Sequence, residues 1–182
     1  MGWAQLGVVE VRIVGSAEWA IWRALRLAAL AEAPYAFSST LADWQGKGDT
    51  EARWSARLTA VPFNVVVELD AQPAGMVSAT EPDSAQTIEV LSMWVAPFAR
   101  GRGVGDALIE AVVGWAGSRS ARRLELRVMV GNEKAVALYR RHGFTETGLV
   151  SQNPDGSREA EMVRDMNGQP PEGTGTGRAP SL

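Results

Sequence analysis

The chain has 182 residues, 46% of them hydrophobic and 21% charged, with no cysteine and one histidine. A single compact domain of this length buries enough apolar surface to need no staple. The missing cysteines and lone histidine exclude disulfide frameworks, thiolate metal sites and an acyl-cysteine intermediate, so no metal is expected. With 18 basic residues against 21 acidic ones, a nucleic-acid partner is not expected. Nor is a membrane partner, since no run approaches the ~18 apolar residues of a span and the first residues, with Glu10 and Arg12, lack the order of a leader. The expectation is a cytoplasmic protein.

The alternating β-branched run from Val8 to Val14 predicts a strand, and Ser16 can cap a helix carrying Trp22 and Leu27 toward Leu30 before Pro34 stops it. The aromatic and polar stretch 34–50 should line the surface, and Asp49 or Thr50 then caps a helix from Glu51 to Thr59. Phe63 to Leu69, the turn Asp70-Ala71-Gln72-Pro73 and Ala74 to Thr80 read as a hairpin. An acidic loop with Glu81 and Asp83 leads to a further antiparallel strand, Thr87 to Val95. From Gly103, residues Val104, Ala107, Leu108, Ala111, Val112 and Trp115 fall at offsets 0, 3, 4, 7, 8 and 11 of one helical face. Arg123 to Val130 alternates as a strand, Asn132 to His142 is a short helix closed by Gly143, and Phe144 onward with Glu159 to Met166 supplies two last strands. Residues 1–166 read as one α/β domain, and the Gly- and Pro-rich 167–182 as a disordered tail.

The chemistry centres on the passage from Val90 to Asp106, where an apolar strand stops at Pro97, a glycine turn with two arginines follows, and a helix begins at once. Amides at a helix start with no Cβ atoms over them make a concave anion site, reinforced by the helix dipole and by Arg100 or Arg102, and a diphosphate fits it. The same glycines could serve only a tight turn. A P-loop needs Gly-Lys-Ser/Thr where Gly105-Asp106-Ala107 stands, and a dinucleotide fingerprint needs a third glycine where Asp106 or Leu108 stands, so neither nucleotide fold fits.

Arg100-Gly101-Arg102-Gly103-Val104-Gly105 resembles the acetyl-CoA signature Arg/Gln-x-x-Gly-x-Gly/Ala of the Gcn5-related N-acetyltransferases, the GNAT family. Asn132-Glu133-Lys134-Ala135-Val136-Ala137-Leu138-Tyr139, closing on Gly143-Phe144, is similar to that family's next motif, and the element order agrees over residues 8–166. The resemblance implies a mostly antiparallel sheet whose fourth and fifth strands splay apart, with acetyl-CoA as cosubstrate. It implies that the amides of Gly101, Arg102, Gly103, Val104, Gly105 and Asp106 hold the pyrophosphate, and that the backbone of Met93, Trp94 and Val95 bonds pantetheine as a substitute strand. Asn132 and Tyr139, two helical turns apart, would meet the coenzyme from one helix face.

A thioester is already activated, so transfer needs a neutral amine, an oxyanion donor and a proton for the departing thiolate. Tyr139, protonated at pH 7 with an ordinary pKa of about 10, suits the general acid, and Val95 N–H the oxyanion donor. Glu89, in an otherwise apolar strand, is the candidate base, with a water chain as the alternative. An N-cap for Asn132, core packing for Tyr139 and a solvated face for Glu89 stand beside these roles. His142 reads as a helix-end residue outside the site, and the arginine pairs Arg122-Arg123 and Arg140-Arg141 stay unassigned. Glu32, Tyr35, Phe37, Asp43, Trp44, Trp54, Glu81, Asp83 and Trp94 are candidates for a lining that suits a cationic amine. Three functions remain open: acetylation of a small amine, acetylation of a protein amine, and non-catalytic acyl-CoA binding. A homodimer is compatible with each.

Overall fold

The structure, a computed structural model, describes residues 7–167. The strands are β1 (Val9–Ile13), β2 (Phe63–Leu69), β3 (Gln72–Ala79), β4 (Thr87–Val95), β5 (Arg123–Met129), β6 (Thr145–Gln152) and β7 (Arg158–Asp165). They form a seven-stranded sheet in the order β1-β2-β3-β4-β5-β7-β6. All neighbours are antiparallel except β4 and β5, which are joined through a helix and so run parallel. The helices are α1 (Trp19–Glu32), the single turn α2 (Leu41–Trp44), α3 (Glu51–Ala60), α4 (Val104–Ser118) and α5 (Glu133–Arg141). The expected α/β mixed sheet with flanking helices is therefore present. Among the described residues, no helix is long and apolar enough to cross a membrane. The expected tail lies, from residue 168 on, outside the described residues.

Each face of the sheet has its own core. On one, Val104, Leu108, Ile109, Val112 and Ala116 of α4 pack with Val65 and Val67 of β2, Ile88 and Val90 of β4, and Leu124, Leu126 and Val128 of β5. The offsets 0, 4, 5, 8 and 12 of those α4 residues are one helical stripe, which explains why this stretch folds as a helix. On the other face, Trp22, Leu25 and Ala29 of α1 and Trp54 and Leu58 of α3 cover Val66, Met76 and Trp94.

The two cores exchange strand parity within β4. Ile88 and Val90 face α4, yet Trp94 and Ala96 face α1 and α3. A bulge makes the change: the β3 register skips between Met76 and Ser78, and Ser92 has φ +54°. Glu89, Leu91, Ser92 and Trp94 are thereby on the α1–α3 face, and Met93 and Val95 pack on the α4 side.

Two boundaries differ from the sequence reading, and one alternative is decided. Ser16 does not cap α1: residues Ser16–Glu18 form a separate 3-10 turn, whose Glu18 side chain reaches back to Gly15 N at 2.8 Å. Of the two expected caps of α3, Thr50 takes the role, its Oγ1 accepting from Arg53 N at 3.3 Å, while Asp49 is turned toward α1. The first hairpin closes on Asp70 and Ala71, both with positive φ, so β3 starts at Gln72.

Candidate active site

β4 and β5 pair only through Thr87↔Arg123, Ile88↔Leu124 and Glu89↔Glu125. Beyond those residues β4 stays on β3 to Val95 and β5 stays on β7 to Met129, so a gap opens between the two central strands. Ala96 N donates to Ala74 O, toward β3. Since backbone groups alternate along a strand, those of Met93 and Val95 are directed into the gap. Sheet groups without a strand partner must find another.

The glycine turn stands at the head of this gap. Gly101 has φ +74° and Gly103, immediately before α4, has φ +85°; a Cβ built on either would meet nothing within 4 Å. Both positions therefore need glycine for conformation and leave open space above the chain. Among the described residues the amides of Gly101, Gly103, Val104, Gly105 and Asp106 donate to no acceptor, while Arg102 N reaches Ala99 O at 3.3 Å. Five free donors at a helix N-terminus fit a diphosphate. Gly105 has a different job: a Cβ there would come within 3.0 Å of Leu138 Cδ2, so its bareness lets α5 dock on α4.

The arginines of the turn are engaged within the chain. Arg100 Nε donates to Val95 O at 3.1 Å and its Nη2 to Glu32 Oε2 at 2.7 Å; Trp94 Nε1 donates to the same oxygen at 3.1 Å. The hydrogen bond from Arg100 holds the Glu32 carboxyl below its ordinary range. Arg102 pairs with Asp70 at 3.1 Å. Asp106 accepts from Arg141 Nη2 at 2.7 Å and lies 2.8 Å from His142 Nε2. Burial pushes its pKa up, but those partners hold it below the carboxylate norm. These side chains brace the turn, while the anion-binding capacity lies in the main chain.

On α5, Asn132 takes the capping alternative, its Oδ1 accepting from Ala135 N at 3.2 Å. Tyr139 is buried, with its ring tilted against Phe144 at 5.9 Å. Burial raises its pKa above the ordinary 10.0, which keeps the phenol protonated throughout the physiological range. Its hydroxyl has no hydrogen-bond partner among the described residues, so a proton is available to a group placed beside it.

The profile of the acetyltransferase (GNAT) family matches residues 22–144. This chain belongs to the GNAT family. An uncharacterized N-acetyltransferase of Methanocaldococcus jannaschii, MJ1207, is 34% identical to it over 90 residues, 47% of this chain and 40% of that protein. Streptothricin acetyltransferase of Streptomyces lavendulae is 34% identical over 87 residues, 48% of this chain and 46% of the other. The matches thus span less than half the length of these relatives. The protein yncA of Salmonella typhimurium, solved with its cofactor acetyl-CoA, superposes with a TM-score of 0.68 at 19% identity, over 96% of this chain and 98% of that one.

In this GNAT chain the face of β4 opposite α4 looks toward α1, α3 and the segment joining α1 to α2. Glu89 lies there, opposite Glu125 in the parallel register, and its own N–H donates to Thr80 Oγ1 at 3.0 Å. Burial, and then the neighbouring Glu161, raise the pKa of Glu125. Several residues expected to line the acceptor pocket do other work. Trp54 is fully buried and donates its Nε1 to Asp49 at 2.8 Å, and Trp44 stacks on it at 4.5 Å. Thr40 caps α2, and Asp43 closes its capping box, its Oδ2 accepting from Thr40 N at 2.7 Å. Glu81 pairs with Arg119, and Asp83 holds the β3–β4 loop through the amides of Ala85 and Thr87. A groove of about 420 Å³ beside Thr87, Arg123 and Asp165, at the opposite end of β4 from the turn, holds none of the candidate site residues.

The sequence reading passed over Arg26 and Arg57. The signal was present: Trp22, Leu25, Arg26, Ala29 and Leu30 are the buried stripe of α1, and Trp54 and Leu58 flank Arg57 on α3. A charged residue standing in an apolar stripe is the mark of a built polar site.

Proposed function

We propose that the chain transfers an acetyl group from acetyl-CoA to a primary amine of a small molecule, by direct attack within a ternary complex. The observation that carries this reading is the set of five amides, Gly101 and Gly103 to Asp106, that donate to no acceptor among the described residues and stand where β4 and β5 part. The amides of Gly101, Gly103, Val104, Gly105 and Asp106 take the diphosphate, and the inward-facing backbone of Met93 takes the pantetheine, which leaves Val95 N–H for the thioester. Arg100, Arg102 and Trp94 fix the shape of this cradle, and Asn132 sets the start of α5.

The amine lone pair attacks the thioester carbonyl carbon; the C–N bond forms as the carbonyl electron pair moves to oxygen, and its return breaks the C–S bond. Val95 N–H faces the oxyanion, and the departing sulfur takes the Tyr139 proton, which solvent restores. The proton lost by nitrogen passes to Glu89, directly or through water. A carboxylate base matters most for a lysine-like amine, whose deprotonation at pH 7 costs roughly 4–5 kcal/mol, against roughly 1 kcal/mol for an α-amino group. The likeness to a streptothricin acetyltransferase supports a small molecule as acceptor.

The test is release of free thiol from acetyl-CoA against a panel of small amines and peptides. Acceptor-dependent release with small amines is expected. Release with peptides alone would replace the small molecule by a protein amine, and coenzyme binding without release would replace the enzyme by a binding domain.

A further inference from the structure

Among the described residues, eight arginines each reach a carboxylate within 4.0 Å. Arg26 and Arg57, in the apolar stripes of α1 and α3, reach none. Arg26 is only 9% exposed; its Nη2 donates to Ser39 Oγ at 2.8 Å, its guanidinium lies 4.4 Å from the Phe37 ring centre, and its Nη1 is buried with no acceptor. Arg57 is partly open, and its donors go to neutral oxygens: Asn64 Oδ1 at 3.2 Å, Ser78 Oγ at 3.1 Å and Ser92 Oγ at 3.4 Å. Burial, and then the charge of Arg57, lower the pKa of Arg26 to about 10, so both stay cationic at neutral pH.

A buried and a half-buried like charge with no counter-ion among the described residues are costly, and neutral donors would bond Ser and Asn oxygens as well. The excess charge therefore answers to something outside the chain. Its position says what. Arg57 Nη2 touches Ser92, the bulge residue directly before Met93, at the gap between β4 and β5. On the same face, three residues back along β4 and so roughly 10 Å away, stands Glu89. Positive charge at the bulge and carboxylate further along match a molecule carrying an anion at one end and an amine at the other.

We infer that the acceptor is a carboxylate-bearing amine of amino-acid type, whose carboxylate binds Arg57 beside Ser92, with Arg26 behind it adding positive potential. The inference rests on the acetyltransferase reading for its choice of acceptor, while the anion site itself does not depend on turnover. Arg57 is the contact, because part of its surface is open, and Arg26 is a positioning residue.

The test uses L-amino acids and their carboxamides with the side chain held constant, as acceptors, and the corresponding N-acetyl compounds as ligands in calorimetry with CoA present. The acids should exceed the amides by tenfold or more in kcat/KM, and the N-acetyl acids should bind by the same margin over the N-acetyl amides. Arg57→Gln should erase that margin by weakening the acids alone, Arg57→Lys should restore part of it, and Arg26→Met should reduce it less. Equal use of acid and amide, or binding of neither N-acetyl compound, overturns the carboxylate assignment even where thiol release proves the enzyme. Acid-selective binding without thiol release from any amine would uphold the anion site and remove the acetyltransferase reading. The wild-type ligand pairs carry the test should Arg57→Gln fail to fold, which its thermal melt will show.

Discussion

The glycine turn and the α1–α3 layer flank the same gap, and they are built from different materials. At the turn, the open donors are main-chain amides, and nearby side chains such as Arg100, Arg102 and Asp106 are occupied in bracing the loop. In the α1–α3 layer the polar atoms belong to side chains, with Arg57 spanning to Asn64, Ser78 and Ser92 on three different strands. A backbone site can serve one fixed ligand through many changes of side chain, since its donors are the same for every residue type. A side-chain site can be retuned one residue at a time, which suits the half of the reaction that chooses the acceptor.

This contrast can be broken from the turn side first. Gly103→Val places a β-branched residue at φ +85° and a Cβ in the open space over the amides. We expect acetyl-CoA affinity to fall by on the order of 100-fold or more in calorimetry, from the blocked donors and about 1–2 kcal/mol of backbone strain. Binding of an N-acetyl ligand at Arg57 should change far less; unchanged coenzyme affinity would remove the diphosphate from the turn.

Tyr139 lies in the core on the α4 face of the sheet. Tyr139→Phe should lower kcat by roughly 100-fold or more while leaving acetyl-CoA affinity alone, and equal turnover would end its role as acid. Because its pKa is raised in the fold, no alkaline fall in kcat below about pH 10 should come from this phenol. By the same sign, the stability that its burial contributes is fully present below about pH 10 and is lost as pH climbs beyond it. Thermal melts of the Phe variant should lack that alkaline loss.

The smallest of these effects concerns the acceptor layer alone. Arg23 Nε donates to Asp49 at 2.6 Å and Trp54 Nε1 donates at 2.8 Å, tying α1 to the start of α3. The hydrogen bond from Arg23, then that from Trp54, lower the Asp49 pKa to about 2. A depressed carboxylate contributes stability above its unfolded value, about 4, and loses it as pH falls toward 2. Asp49→Asn should flatten this acid stretch of the melting curve and lower Tm by a few degrees near neutrality. A variant that keeps the wild-type acid slope would show that other carboxylates set it.

Much of this architecture was legible in the chain. The α4 stripe from Val104 to Ala116, the alternation of β5 and the glycine spacing at 101, 103 and 105 are local patterns, and local patterns are what sequence states directly. Main-chain donors left open at a helix start require bare residues at fixed spacing, so the turn proposed for the coenzyme was visible as a pattern. The reason for each glycine was less visible: Gly103 serves conformation, whereas Gly105 is bare because Leu138, 33 residues later, packs on it.

Tertiary structure decided the remainder. The bulge at Ser92 reverses which β4 residues face α4, and only the skipped register against β3 reveals it. The roles of Arg100, Arg102 and Asp106 depended on partners 68, 32 and 35 residues distant in sequence. So did the isolation of Arg26 and Arg57, since whether a guanidinium meets a carboxylate or only serine and asparagine is fixed when helices settle on the sheet. Sequence determined the elements and the open amides of the turn because both follow from periodicity and missing Cβ atoms. The α1–α3 layer arises from contacts between distant segments, and for those the physical cause is the packing itself.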